Sequence, residues 1–268
     1  MFHIGTPMGR SMDFLEAAEI VGGLQSRLGE MGLVARLEYN PTAASDQLNS
    51  FYRDTQGDAK INTWLNPDIV MRTERDFFLL TLSDAGGLVG KMSARLDDTH
   101  TESFESFALR GLKTVFRDEN GEPTKERFPA VSKDLKGRVA YVGDLYAVKR
   151  LRKNEEHPLA AIIAALLFVT IHQRWGVPDY TIAWIRPWQS EGAEYRDRWV
   201  WYQNAASFSQ PACSEFRKYA MGVIDAEMFP KHLDRARSLA RISVPGNRCR
   251  HRAPGHPVST TNQGLEHS

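Results

Sequence analysis

Apolar positions recur at two different periods along this chain, and the switches between them lay out the elements. From Ser11 to about Met31, Phe14, Leu15, Ala18, Ile20, Val21, Leu24 and Leu28 fall at helical spacings, and "MGLVARLEY" follows as a short strand ending at Tyr39. "NPTAASDQLNSFYRDTQG" predicts a second helix, with Pro41 near its start, an apolar face of Leu48, Phe51 and Tyr52, and Gly57 past its end. "FFLLTL" and "LVGKMSARL" flank "SDAGG" and predict an antiparallel hairpin. The polar stretch 97–137 is expected to be an insertion over the main sheet, with a second hairpin around Asn120-Gly121. A strand at Val139 to Val148, a buried helix at about Pro158 to Trp175 and a strand at Tyr180 to Ile185 then predict a right-handed parallel crossover. Helices are expected at roughly Ala193 to Asn204, in "SEFRKYAMGVIDAEMF" and in "KHLDRARSLARI". From Pro245 onward too little is apolar to bury, so disorder is expected.

Composition narrows the class. With 268 residues, 42% apolar and 25% charged, the chain fits one large globular domain with appendages. The 34 Lys and Arg against 33 Asp and Glu leave a net charge of +1, so no global field points to nucleic acid or an anionic membrane. The C-terminal stretch carrying Lys231, Arg235, Arg237, Arg241, Arg248, Arg250 and Arg252 does not reverse that balance. Cys213 and Cys249 form no disulfide framework and match no metal-ligand spacing, so a reducing compartment and no metal are expected. The N-terminal segment lacks the apolar core of a signal peptide, and Asp13, Glu16 and Glu19 interrupt it, which gives a cytoplasmic expectation. The longest apolar run, Leu159 to Ile171, is shorter than the roughly 18 residues of a membrane span.

The candidate chemistry concentrates in "YVGDLYAVKRLRKNEEHPLAAIIAALL", where a strand breaks into charge and restarts as an apolar helix. The first N–H groups of a helix lack internal acceptors and carry partial positive charge, so an anion is stabilised there. Lys149, Arg150, Arg152 and Lys153 lie just before those groups, with Asn154 as a candidate cap and His157 as a candidate phosphate or capping contact. The alternative is a solvated loop whose basic residues pair with Glu155 and Glu156. Gly143 within the strand marks either a bulge or a packing adjustment. Arg186 and Trp188, in the aromatic segment "WIRPWQSEGAEYRDRWVWY", follow a strand end and are candidate acceptor contacts.

In their order, "GLVGKMSARLDD", "VAYVGDLYAVKRLR" and "AAIIAALLFVTIHQRWGVPDYTIAWI" resemble the GNAT superfamily of acyl-CoA-dependent N-acyltransferases, over about two-thirds of the chain. The resemblance implies a mixed, mostly antiparallel α/β sheet flanked by helices, with acetyl-CoA or another acyl-CoA as co-substrate. It implies an acyltransferase domain over 33–210; the insertion at 97–137, an N-terminal helical extension over 1–32, C-terminal helices over 211–243 packed on the domain and a disordered tail over 244–268 are expected outside the resemblance. The pantetheine arm would bond the backbones of Leu145, Tyr146, Ala147 and Val148 on a central strand that splays from the next. The pyrophosphate would sit near Arg150, Arg152, Lys153, Asn154 and His157. No glycine lies between Val148 and Leu159, where the family pattern has Gly-x-Gly or Gly-x-Ala.

Acyl transfer to an amine needs a base, because an alkylamine with a pKa near 10 is protonated at neutral pH. Strand alternation puts Asp144 opposite Leu145 and level with Val142, Tyr146 and Val148, which makes it the candidate base, with a structural carboxylate as the alternative. The family often places a tyrosine in the helix after the fifth strand to protonate the leaving thiolate, and Tyr202 is closer to that position than Tyr195. The expected partner is a small-molecule or peptide amine, with room for a homodimer, and a GNAT-fold protein that binds without catalysis is the alternative function.

Overall fold

The computed structural model describes residues 12–54, 73–115, 128–151, 159–185, 199–209 and 216–241. In chain order these give α1 (Phe14–Glu30), β1 (Val34–Glu38), α2 (Pro41–Asp54), β2 (Phe77–Asp84), β3 (Gly87–Asp98), α3 (Phe104–Val115), β4 (Arg138–Ala147), α4 (Leu159–Trp175), β5 (Tyr180–Ile185), β6 (Val200–Ser209), β7 (Phe216–Asp225) and α5 (Phe229–Arg241). Short 3₁₀ turns occupy Ala130–Lys133 and Lys149–Leu151.

Local chemistry explains the helix ends. Asp13 caps α1, its carboxylate accepting from the Glu16 N–H at 2.8 Å. Past the helix end Gly32 takes a φ of 69°, and the Leu33 N–H donates to the Leu28 carbonyl at 2.8 Å. The Asn40 side chain accepts from the Thr42 and Ala43 N–H groups at the start of α2, where Pro41 has no N–H to satisfy.

The strands form one sheet in the order β1-β2-β3-β4-β5-β7-β6, and β4–β5 is its parallel pair. The mixed, mostly antiparallel sheet is the expected fold class. Its two faces are covered differently. Phe78, Leu80, Met92, Ala94, Ala140, Val142, Ala183 and Ile224 join one core with α1, α4 and α5. Phe77 and Leu79 pack against Ala44 and Leu48 of α2, and Val139, Tyr141, Ile182 and Met221 pack against Phe104 and Ala108 of α3. Twelve of the seventeen residues of α4 are buried, which is why its sequence shows no polar face. Each fully buried Leu, Ile or Phe there stabilises the fold by about 1.5–3 kcal/mol.

Several expectations are corrected. The segment expected as a helix over Ala193 to Asn204 is described only from Trp199, and from Val200 it is the strand β6. "FRKYAMGVID", expected within a C-terminal helix, is β7, inserted between β5 and β6. Phe216–Asp225 is therefore part of the main sheet, and α1 and α5 share a core with α4. Leu112 to Val115, expected as an arm of a second hairpin, ends α3 instead, while Asn120-Gly121 lies outside the described residues.

The layer of α1, α4 and α5 contains a pH-sensitive contact. His172 of α4 is held below its ordinary value of 6.5, chiefly by burial and then by Arg237, with Glu16 opposing. Arg237 is itself tied to Glu16 and Asp234, both at 2.6 Å. With the folded-state value lowered, this contribution to stability is complete above about pH 6.5 and is lost as pH falls through the folded value. The denaturation midpoint should fall between pH 7.5 and pH 5, and His172→Gln should flatten that slope. An unchanged slope would show that His172 does not report on this layer.

Candidate functional site

The site is built around a fault in the sheet. At its base the parallel pair is pinned: the Asp179 carboxylate accepts from the Arg138 N–H at 2.7 Å, the Asp179 N–H donates to the Arg138 carbonyl at 2.9 Å, and the Arg138 guanidinium donates to the Trp175 carbonyl. From Val139↔Tyr180 to Val142↔Ala183 the ladder is regular. There it stops, although β4 continues to Ala147 and β5 to Ile185.

On its other side β4 changes register with β3. Ser93 opposes Gly143 and Lys91 opposes Tyr146, so β4 carries one residue more than β3 across this interval. Asp144 has a φ of 61°, the one non-glycine residue with positive φ among those described. Asp tolerates that region better than most residues because its short side chain bonds locally. Gly143 therefore does border a bulge, but the left-handed residue is its neighbour.

The bulge reverses part of the alternation. Val142 faces α4, while Tyr146 packs edge-on to Phe51 of α2, ring centroids 5.5 Å apart, on the opposite face. Asp144 turns to that same face, where its carboxylate accepts from the Lys91 ammonium. Both side chains are buried, at 1% and 7% exposure for Lys91 and Asp144. The candidate base is thus level with Tyr146 and opposite Leu145, as expected, but not level with Val142. Farther along the same face of β3, Arg95 pairs with Asp97 at 2.8 Å and lies over the Tyr141 and Phe107 rings.

Hollows lie on both faces. Leu145, 37% exposed, projects towards α4, where it joins Met92, Ala161, Ala165, Phe168 and Trp199 around a shallow apolar hollow of about 40 Å³. Gly222 lets the indoles pack close beside it, since a Cβ there would meet Trp201 at 2.6 Å and Trp199 at 2.8 Å. Beside α2, Arg36, Glu38, Asp54, Thr81 and Ser83 line a polar groove of about 460 Å³.

The remaining candidates fare unequally. Val148 continues β4, its N–H donating to the Val89 carbonyl at 2.9 Å. Arg150, in the 3₁₀ turn that follows, pairs with Asp84 of the β2–β3 turn. That bond, then the Gly86 N–H, holds the Asp84 carboxyl below its usual range. Tyr202 lies on β6, not on a helix, and opposes Met221. With β5 and β7 between them, β6 is about three strand spacings, roughly 14 Å, from β4. Arg152, Lys153, Asn154, His157, Arg186 and Trp188 lie outside the described residues. Sequence reasoning missed Lys91, whose signal is a lysine between the apolar Val89 and Met92 of a hairpin strand.

No family model and no curated protein matches the chain. Among solved structures, it is similar to Arabidopsis thaliana NAA60 in complex with acetyl-CoA, at 14% identity and a TM-score of 0.41, covering 72% of this chain and 98% of that one. FeeM, an N-acyl amino acid synthase from uncultured soil microbes, is similar at 14% identity and a TM-score of 0.43, over 74% of this chain and 92% of that one. An acetyltransferase of the GNAT family from Streptococcus pneumoniae is similar at 11% identity and a TM-score of 0.38, over 72% and 99%. Likeness at this level assigns no role to any residue of this chain. Among the described residues, no helix is long and apolar enough to cross a membrane, and no group of three His, Cys, Asp or Glu suits a metal.

Proposed function

We propose that the chain is an acyltransferase that moves an acyl group from acyl-CoA to an amine by direct attack on the thioester. The observation that carries this is the divergence of β4 from β5 at the Asp144 bulge, immediately before the turn that leads towards α4. A parallel pair that stops pairing while both strands continue leaves a wedge into which an amide-bearing chain fits as a surrogate strand. The pantetheine arm has that character, and in this reading it runs along the β4 backbone from Leu145 to Val148. Arg150 and the basic residues after it supply charge for the pyrophosphate, with the N-terminus of α4 behind them.

The acceptor amine approaches from the α2 side, the face on which Asp144 stands. Its nitrogen bonds to the thioester carbon, the carbon–sulfur bond breaks, and Asp144, directly or through water, takes the amine proton. In this reading the departing thiolate takes its proton from water, because Tyr202 lies on β6 with β5 and β7 between it and β4.

A second reading, binding without catalysis, has its own support: the glycine-free segment after Val148, and an Arg150 already paired with Asp84. Free-thiol release from acetyl-CoA across a panel of small amines and peptide N-termini separates the two. Release that depends on the amine supports the transferase. Binding of acyl-CoA with no release above the buffer rate would move the assignment to the binding protein.

A further inference from the structure

We propose that Lys91 is a positioning residue whose ion pair with Asp144 holds the β4 bulge, and thereby keeps β4 and β5 apart where the ligand enters. A lysine on the inner face of a sheet is costly unless its charge is matched, and Lys91 is 1% exposed. β3 matches its other buried cation, Arg95, with Asp97 of its own strand, whereas Lys91 draws its partner from β4.

The partner is what gives it meaning. In a regular strand Asp144 would share the face of Val142 and point at α4, away from Lys91. Only the extra residue and the left-handed backbone at Asp144 carry its carboxylate across to the Lys91 face. The ion pair and the bulge therefore imply one another. The last β4–β5 ladder pair, Val142↔Ala183, lies one residue before Gly143, where the bulge begins. With the base of the pair pinned by Arg138 and Asp179, a change of backbone course at Asp144 is what opens the far end. Lys91 lies one strand away and acts through Asp144.

The binding arm of the test rests on the acyl-CoA reading; the exchange arm does not. Two double variants remove both charges, so neither leaves a lone buried ion. K91M/D144L places a residue that avoids positive φ at the bulge, whereas K91M/D144G places one that adopts it without strain. K91R keeps the pair. Amide hydrogen exchange over 143–147 and acetyl-CoA affinity are measured on the full-length chain. In K91M/D144L, the strands should pair further, slowing exchange over 143–147 at least about tenfold and weakening acetyl-CoA binding by about tenfold or more. K91R should match the wild type in both, whereas K91M/D144G, which lacks the pair at a residue free to adopt either backbone, should close like K91M/D144L; it also loses turnover because it lacks the carboxylate.

Wild-type exchange and affinity in K91M/D144L would overturn the proposal. So would wild-type exchange and affinity in K91M/D144G, because the bulge would then stand on the backbone at position 144 without the pair. If K91M/D144L does not fold, slowed exchange in K91M/D144G with wild-type exchange in K91R supports the proposal, and wild-type exchange in K91M/D144G overturns it. If the wild type binds no CoA species, the functional reading falls and exchange alone decides the role of Lys91.

Discussion

Lys91→Met, made alone, should cost about 3–5 kcal/mol of stability, because it leaves the Asp144 carboxylate buried without its cation. The size follows from desolvation. An ion pair taken out of water is worth little net, but half of one is strongly unfavourable. The loss should be read from equilibrium denaturation, with the midpoint displaced and the slope unchanged. Adding Asp144→Leu should recover most of it, since the remaining charge is then gone. A single Lys91→Met variant within about 1 kcal/mol of the wild type would mean that solvent reaches Asp144 freely, in conflict with its burial.

Phe168→Ala should cost a comparable amount, about 3–5 kcal/mol, through the cavity it opens. Phe168 is 3% exposed on α4, with its ring stacked on His232 at 4.2 Å, edge-on to Phe229 at 5.4 Å and 6.3 Å from Trp199. It ties the crossover helix to α5 and to the start of β6, so its truncation loosens three elements together. Trp199 provides a second readout: its fluorescence should shift as the hollow beside Leu145 enlarges. A loss below about 1 kcal/mol, with unchanged emission, would show that α5 does not pack on α4 in this way.

How far the sequence was legible depended on how many faces each element buries. The β2–β3 hairpin was plain because apolar runs flank a two-residue turn of Ala85-Gly86, and the β4–α4–β5 crossover because α4 is apolar around its circumference. β7 was misread because it is buried on both faces: Ala220, Met221, Val223 and Ile224 are all buried, so the alternation that marks a half-exposed strand is lost. The aromatic spacing of Trp199 and Tyr202 imitates a helix, whereas Tyr202 lies on β6. In the site, Gly143 pointed to the bulge, but periodicity alone does not say which residue takes the left-handed backbone. The overlooked clue was complementary charge: Lys91 interrupts the apolar start of "LVGKMSARL", and Asp144 is the one charged residue within "YVGDLYAV". Two such residues on neighbouring strands of one sheet are expected to find each other.

The central claim is that the divergence at the Asp144 bulge receives a CoA thioester. Calorimetric titration of the full-length wild type with acetyl-CoA and octanoyl-CoA tests it most directly. Saturable binding of at least one at a single site, weakened in K91M/D144L, is the predicted result. No heat and no saturation with either thioester, from a protein whose exchange pattern shows the sheet folded, would contradict it.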